Sequence, residues 1–359
     1  MSLHFIFGRA GTGKTTRCCR EIQDYLKKTP GGRAYLLVPD QGTYTAEYLL
    51  AKSFPGAGFI DVTVCGFSRL AYRVFQELHS PVADALSPLG QQIILRRLLD
   101  AHKDELQVIL RAASQPHFSE KLTAFFHQLD MFLVTEDDLL AASKREGETP
   151  LGKKLADLSL LYKAYHDYLR MHFAYEGSLF DLLAREIPKS EKLRGSRIWI
   201  DGFNGMAPQK IRIVSALVHT AEEVTMTLQM DSPEEAAENP NFARPYQLYS
   251  QLQGAIRHSS SIVLTEEKRF RTSDLSLMAR HFFERHARPR PEDGRVKEGL
   301  HLITAESPKE EVDLISRTIT SLVRDKGLRY RDILVLSRTP ENYSDLFTRS
   351  FATYGIPGF

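Results

Sequence analysis

Cysteine is scarce in this chain: there are three in 359 residues, Cys18 and Cys19 adjacent and Cys65 alone. That pattern argues against a disulfide framework and fits a reducing compartment. No Cys/His cluster has the spacing of a metal site. No apolar run is long enough to make a membrane-spanning helix. The N-terminus lacks the charged and apolar regions of a signal peptide. A cytoplasmic protein without membrane contact is the expectation. Charge of one sign is also missing. The net charge is +2, so whole-chain charge neither demands nor excludes nucleic acid, and any basic surface must be local. Disorder is not the default, because hydrophobic residues make up 42% and charged residues 26%. The length predicts roughly two domains.

What is present begins at once. An apolar strand from Leu3 to Phe7 runs into Gly8-Arg9-Ala10-Gly11-Thr12-Gly13-Lys14-Thr15, followed by Thr16 and a helical pattern with Ile22, Tyr25 and Leu26 on one side. This is a strand, a Gly-x-x-x-x-Gly-Lys-Thr loop and a helix. Glycines let the backbone wrap close to phosphate oxygens, and the amides point inward at the positive end of the helix. In such a loop Lys14 reaches the β and γ phosphates and Thr15 supplies a Mg²⁺ ligand.

The run "AYLLVPDQ", residues 34–41, reads as a strand buried on both faces. With the P-loop it makes one βαβ unit of a doubly wound sheet. Another strand around Val62 and Val64 leads through Gly66 to a helix start at Phe67, Ser68 and Arg69. Ligands of open α/β sheets sit at the carboxyl ends of strands. Asp40, Gln41, Ser68 and Arg69 therefore fall on the functional edge.

From about residue 80 to 190 the pattern becomes helical. Ser87-Pro88 reads as an N-cap with a first-turn proline. Thr135 to Asp138 reads as a capping signal. The stripe Leu155, Leu158, Tyr162, Tyr165, Leu169 reads as core. Arg96-Arg97 and Lys153-Lys154 read as solvated helix faces, and the scattered histidines carry no assigned chemistry.

Sheet returns with "RIWIDGFNGMAP", residues 197–208, where a strand ends in Asp201. Paired with the P-loop, Asp201 suits Mg²⁺, directly or through water. Gly202 stands where ATP-burning motors place a glutamate base. Asn204 can orient a water but cannot accept its proton. Impaired hydrolysis is expected. A further strand, "EVTMTLQMD", ends at Asp231. Residues 286–299, rich in Pro, Gly and charge, read as a linker. Beyond it, "LHLITAES" and "DILVLSR" read as strands around a helix stopped by Gly327, the second ending at Arg338. This looks like the start of a second α/β domain that the chain does not complete.

"GRAGTGKT", "LLVPDQGTYTAE", "FSRLAYRV", "IWIDGFNGMAPQ" and "RYRDILVLSRTPENY" before "YGIPGF" occur in that order across essentially the whole chain. In this order they resemble the N-terminal part of the AddB-type (RexB-type) B subunit of the bacterial ATP-dependent helicase/deoxyribonuclease. The resemblance implies a UvrD-like superfamily 1 helicase fold. Residues 1–80 and 191–285 would be a first RecA-like α/β domain, 81–190 a helical insertion, 286–300 a linker and 301–359 the truncated start of a second RecA-like domain. It implies ATP and Mg²⁺ as cofactors, held by residues 8–16, with Thr15 and Asp201 at the metal. It places Arg338 facing the γ-phosphate and Asp40, Gln41, Phe67, Ser68 and Arg69 toward DNA. An active relative would read Asp-Glu-x-Gln-Asp where this chain has Asp201-Gly202-Phe203-Asn204-Gly205. The adenine-reading glutamine motif has no room among the seven residues before Gly8. Both departures count against autonomous helicase activity.

The role implied is processing of double-strand DNA ends for recombinational repair until a Chi-type sequence attenuates it. The implied partners are DNA and the motor-bearing A subunit, in a heterodimer. A nuclease domain with a four-iron, four-sulfur cluster would lie beyond residue 359. The reading from another class is a P-loop kinase or small-molecule NTPase. The long helical insertion and the second α/β unit argue against it.

Overall fold

The computed structural model describes residues 2–54, 61–80, 87–113, 115, 117–173, 179–256, 258–270, 272–281 and 299–358. The chain divides into two compact units, one formed essentially by residues 1–271 and one by residues 272–282 and 286–359.

The first unit is built on a parallel six-stranded sheet. Its strands are β1 (Leu3–Gly8), β2 (Ala34–Leu37), β3 (Val62–Cys65), β4 (Arg197–Ile200), β5 (Glu223–Leu228) and β6 (Ser259–Leu264), in the order β3-β2-β4-β5-β1-β6. This is a RecA-like α/β architecture. The central strands are almost wholly buried, as parallel strands covered on both faces must be. Alternation along each strand sorts residues to two cores. Ile6, Leu36 and Trp199 face α1 (Lys14–Lys28) and α2 (Thr43–Ser53) through Cys18, Ile22, Ala46 and Leu50. Phe5, Phe7, Leu37, Ile200 and Met226 face the larger core, which contains α3 (Phe67–Leu78) and Phe75. β6 closes one edge against β1, with Leu3 opposite Ser259 and Phe7 opposite Val263. Its sequence, SSSIVL, is mostly exposed, and sequence reading does not identify it as a strand.

Between β3 and β4 lie α4 (Pro88–Ala101), α5 (Leu110–Ala113), α6 (Phe118–Phe132), α7 (Glu136–Glu146), α8 (Pro150–Phe173) and α9 (Leu179–Glu186). Residues of α4 to α8 share a separate core around Leu95, Phe126, Leu161 and Tyr162. The expected caps are present: Ser87 accepts from Gly90 N–H, and Thr135 forms a capping box with Asp138. α9 belongs elsewhere. Leu183, and Ile187 just beyond the helix, are fully buried in the sheet core, so the helical insertion's own core ends before α9. The return to the sheet brings α10 (Pro208–Thr220), α11 (Pro233–Glu238) and α12 (Ala243–Ala255), whose Val214, Leu217, Ala236, Leu248 and Leu252 complete that core.

The three cysteines are buried and unbridged. Burial raises the thiol of Cys18 well above its ordinary value and those of Cys19 and Cys65 to about 11, so all three are inert at neutral pH.

The second unit contains α13 (Ser273–His281), α14 (Pro308–Lys326) and α15 (Pro340–Tyr354). α14 and α15 pair through hydroxyl bonds from Tyr343 to Glu311, Ser350 to Ser316 and Tyr354 to Asp313. Gly327 ends α14 in the left-handed region, at φ 68°. The strands expected at 300–307 and 332–338 are not formed. These segments find no backbone ladder among the described residues, and Leu302, Leu334 and Leu336 are exposed. Residues 286–298 of the expected linker lie outside the described residues.

One buried charge organises the insertion. Asp157 of α8, 2% exposed, accepts N–H bonds from Gln107, Val108 and Ile109 at 2.8–3.1 Å. It pins the α4–α5 connection to α8. Asp157→Ala strands those three donors, and a loss of about 2–4 kcal/mol is expected in denaturant unfolding. Hydrogen exchange should localise it to residues 107–109, with the sheet core unaffected.

Candidate nucleotide site at the carboxyl edge of the sheet

All six strands end on one edge, and the loops that follow them form the site. After β1 the chain turns through Gly11 at φ +88° and Gly13 at φ +89°, conformations that favour glycine. Thr12 Oγ1 donates back to Arg9 O at 2.9 Å and tightens the loop. α1 starts at Lys14 with no side-chain cap on its first amides. The Lys14 ammonium donates to Gly8 O at 2.6 Å and Arg9 O at 2.9 Å, inside its own loop. Burial lowers the Lys14 pKa. The Asp201 carboxylate opposes that shift, and the Arg269 guanidinium adds to it.

Asp201 follows β4 and is 6% exposed. Register explains its place. Ile200 pairs with Leu37 on β2 and Met226 on β5, so Asp201 N–H reaches Leu37 O at 2.9 Å and its carboxylate lies beside Thr227. Thr15 Oγ1 donates to one carboxylate oxygen at 2.7 Å and Thr227 Oγ1 donates to the other. Thr15 and Asp201, the two expected metal ligands, are thus in contact, and their oxygens suit a hard divalent cation. No group of three or more His, Cys, Asp or Glu side chains is placed to hold a metal ion among the described residues.

These groups open on a cleft of about 490 Å³ that Ala10, Gly11, Gly13, Lys14, Thr15 and Thr16 line from the P-loop side. Asp201 is the one carboxylate among the described residues of its wall. The rest of the wall includes Gly202, Asn204, Thr227, Gln229, Lys268 and Arg269. Gly8 is irreplaceable by packing, since a Cβ would lie 3.0 Å from Leu264 O and collide with the Thr12 hydroxyl. Thr12 lines an adjoining cleft of about 450 Å³ with Arg17 and Arg20 of α1.

Several expected residues serve otherwise. The Arg9 guanidinium makes two 2.7 Å bonds to Asp231, beyond β5, and stacks on Phe242 at 5.5 Å. It anchors the loop from outside the cleft. Phe67, expected to face DNA, is 2% exposed, packed on Phe203 with ring centroids 5.4 Å apart, and offers no face for a base. Its neighbours fit the expectation better. Arg69, Asp40 and Gln41 are exposed and Ser68 is half-buried, all at strand carboxyl ends. The Asp40 carboxylate lies so close over Gly66 that any Cβ there would clash. Arg338 lies in the second unit, at a bend just before α15. Sequence reading misses Thr227, Gln229, Lys268 and Arg269. The first two sit in or just past an apolar strand pattern, and the others follow the unrecognised β6.

Gly202 has φ +82°, and a Cβ would also meet Pro39 Cδ at 3.4 Å. Gly202→Glu and Gly202→Ala should each cost about 1–2 kcal/mol in denaturant unfolding. Gly205, where nothing lies within 4 Å of an added Cβ, should accept glutamate within about 0.5 kcal/mol. Equal costs at both positions would show that the backbone at 202 is not the constraint.

The family model described as "ADDB, N-terminal" matches residues 5–279. The B subunit of the ATP-dependent helicase/deoxyribonuclease of Pelotomaculum thermopropionicum is 35% identical over 373 residues, covering 100% of this chain and 32% of that protein. The protein of the same name from Bacillus subtilis is 34% identical over 374 residues, with the same shares covered. The chain thus spans about a third of the length of the curated relatives it matches. On the matched model and the identity along its full length, the chain belongs to the AddB family, in that family's N-terminal region.

Proposed function

We propose that this chain is the nucleotide-holding, DNA-contacting N-terminal portion of the B subunit of an ATP-dependent helicase/deoxyribonuclease, acting in repair of double-strand DNA breaks. The observation that carries the nucleotide reading is the Asp201 carboxylate, bonded by Thr15 and Thr227 at the mouth of an intact P-loop. Thr15 and Asp201 would hold Mg²⁺, which when bound offsets charge on the β and γ phosphates. Lys14 would exchange its two carbonyl partners for phosphate oxygens, and the backbone of residues 8–16 would cradle them.

Turnover needs a group that takes a proton from water. Gly202 has no side chain, and Asn204 and Gln229 carry amides, which cannot act as bases. Asp201 already accepts two hydroxyl bonds. The arrangement supports holding Mg-ATP with negligible hydrolysis.

On the same reading, single-stranded DNA crosses the carboxyl edge at Asp40, Gln41, Ser68 and Arg69 through backbone contacts. Phe67 shapes that edge from beneath. The further parts of the proposal rest on family membership. They are a heterodimer with a motor A subunit, Chi-dependent attenuation, Arg338 at the γ-phosphate, a cytoplasmic location, and a nuclease with a four-iron, four-sulfur cluster in sequence outside this chain.

Mg-ATP binding should be measurable for the intact protein and lost in Lys14→Ala, with phosphate release at background in both. Rapid release by the wild type would overturn the holding role. Arg69→Ala should weaken single-stranded DNA binding several-fold and flatten its salt dependence, whereas Phe67→Leu, which keeps the buried contact apolar, should change it less. Unchanged affinity in Arg69→Ala would remove this edge from the DNA path.

A further inference from the structure

The segment after β6, residues 265–270, runs as a strap over the tip of the P-loop. The Lys268 backbone N–H donates to Gly11 O at 2.9 Å. The next two residues crowd the same glycine: a Cβ built on Gly11 would lie 2.9 Å from Arg269 Cβ and 3.6 Å from the Phe270 ring. The strap therefore rests on the loop backbone at a glycine that admits nothing larger. Its Arg269 side chain enters the wall of the same cleft as Lys14, Thr15 and Asp201.

The charges around this cleft are unevenly compensated. Arg9 is neutralised by Asp231 at 2.7 Å, and Lys268 by Glu266 at 3.1 Å. Arg269 has no hydrogen-bond or ion-pair partner among the described residues, and it is exposed toward the cleft's solvent. Two cations thus share a site whose wall holds one carboxylate, and that carboxylate is already bonded by two hydroxyls. A polyanion is the ligand that relieves this arrangement. Arginine's planar fork matches phosphate oxygens, and placement beside Lys14 puts it at the terminal end of a nucleotide.

We propose that Arg269 is a phosphate-contacting residue of the nucleotide cleft, held over the P-loop tip by the strap 265–270 and selective for triphosphate over diphosphate. This rests on the nucleotide reading above. It gives the first unit its own terminal-phosphate cation, independent of Arg338. The strap also leads directly into α13, the first helix of the second unit.

The test is equilibrium binding of Mg-ATP and Mg-ADP to the intact protein as wild type, Arg269→Ala, Arg269→Lys and Lys14→Ala, each with a melting temperature. Hydrogen exchange of residues 265–270 is followed in parallel. The expected result is a roughly tenfold or greater loss of ATP affinity in Arg269→Ala, with ADP affinity within about threefold, partial recovery in Arg269→Lys and an unchanged melting temperature. Exchange at the Lys268 amide should slow more with ATP than with ADP in the wild type, and this difference should vanish in Arg269→Ala. Wild-type ATP affinity in Arg269→Ala would overturn the proposal while leaving the nucleotide reading intact. Equal loss of ATP and ADP affinity with a lowered melting temperature would overturn it in favour of a structural role. Absence of Mg-ATP binding by the wild type would overturn the nucleotide reading and this assignment with it.

Discussion

The Asp201 carboxylate is the point on which this edge of the sheet depends. It is buried, and a buried charge survives only when its oxygens are satisfied. One oxygen takes the Thr15 hydroxyl from the first turn of α1, and the other takes the Thr227 hydroxyl from β5. Its backbone N–H is bonded to the end of β2. Three strands and the P-loop helix therefore converge on a single anion. That anion also supports the charged form of Lys14 against the cost of burial. The alignment of loop, helix and strand ends is an electrostatic requirement here, whether or not any chemistry follows from it.

The residues after Asp201 show a loop redirected toward packing, not merely one lacking a side chain. Gly202 takes up a left-handed conformation, which turns Phe203 onto Phe67 at the start of α3. Lys210 of α10 lies over Phe67 at 5.7 Å and over Phe180 at 5.6 Å. The strand end that bears Asp201 and the helix start that bears Ser68 and Arg69 are thereby joined through two aromatic rings. A candidate nucleotide edge and a candidate DNA edge share one packed layer. Movement of either would have to be accommodated at the Phe67–Phe203 contact, because packed interiors shift between discrete arrangements instead of deforming smoothly.

The sequence made this architecture legible wherever the signal is local. Glycine spacing announced the P-loop, apolar runs announced β1, β2, β4 and β5, and Ser87, Thr135 and Gly327 marked helix ends through short-range capping. The failures all involve partners distant in the chain. β6 is a half-exposed edge strand rich in serine, recognisable only once β1 lies beside it. The strap and its Arg269 were hidden with it. Arg9 stands in the loop, but the partner of its side chain, Asp231, is 222 residues away. Phe67 has the place of a stacking residue, and nothing near it in sequence reveals Phe203. The segments 300–307 and 332–338 have strand-like composition, but a strand exists only with a neighbour to bond, and the described residues supply none.

The bonding within the loop of residues 8–15 bears on what such a site is built to deliver. Its tip is bonded to the strap, its second residue is locked by a bidentate ion pair, and Thr12 closes the turn between them. Binding a nucleotide would then cost little loop ordering, and the main exchange would be two carbonyl bonds of Lys14 for phosphate oxygens. Preorganisation of that kind strengthens ground-state binding. It raises turnover only if some group also acts more strongly on the transition state than on the bound ground state. With a glycine in the base position and amides nearby, no proton acceptor other than the doubly bonded Asp201 carboxylate faces the cleft among its described lining residues. On the nucleotide reading, the physical output of this edge is therefore occupancy: a rigid, charge-lined cradle whose filled and empty states differ mainly in where Lys14 and the strap direct their positive charge.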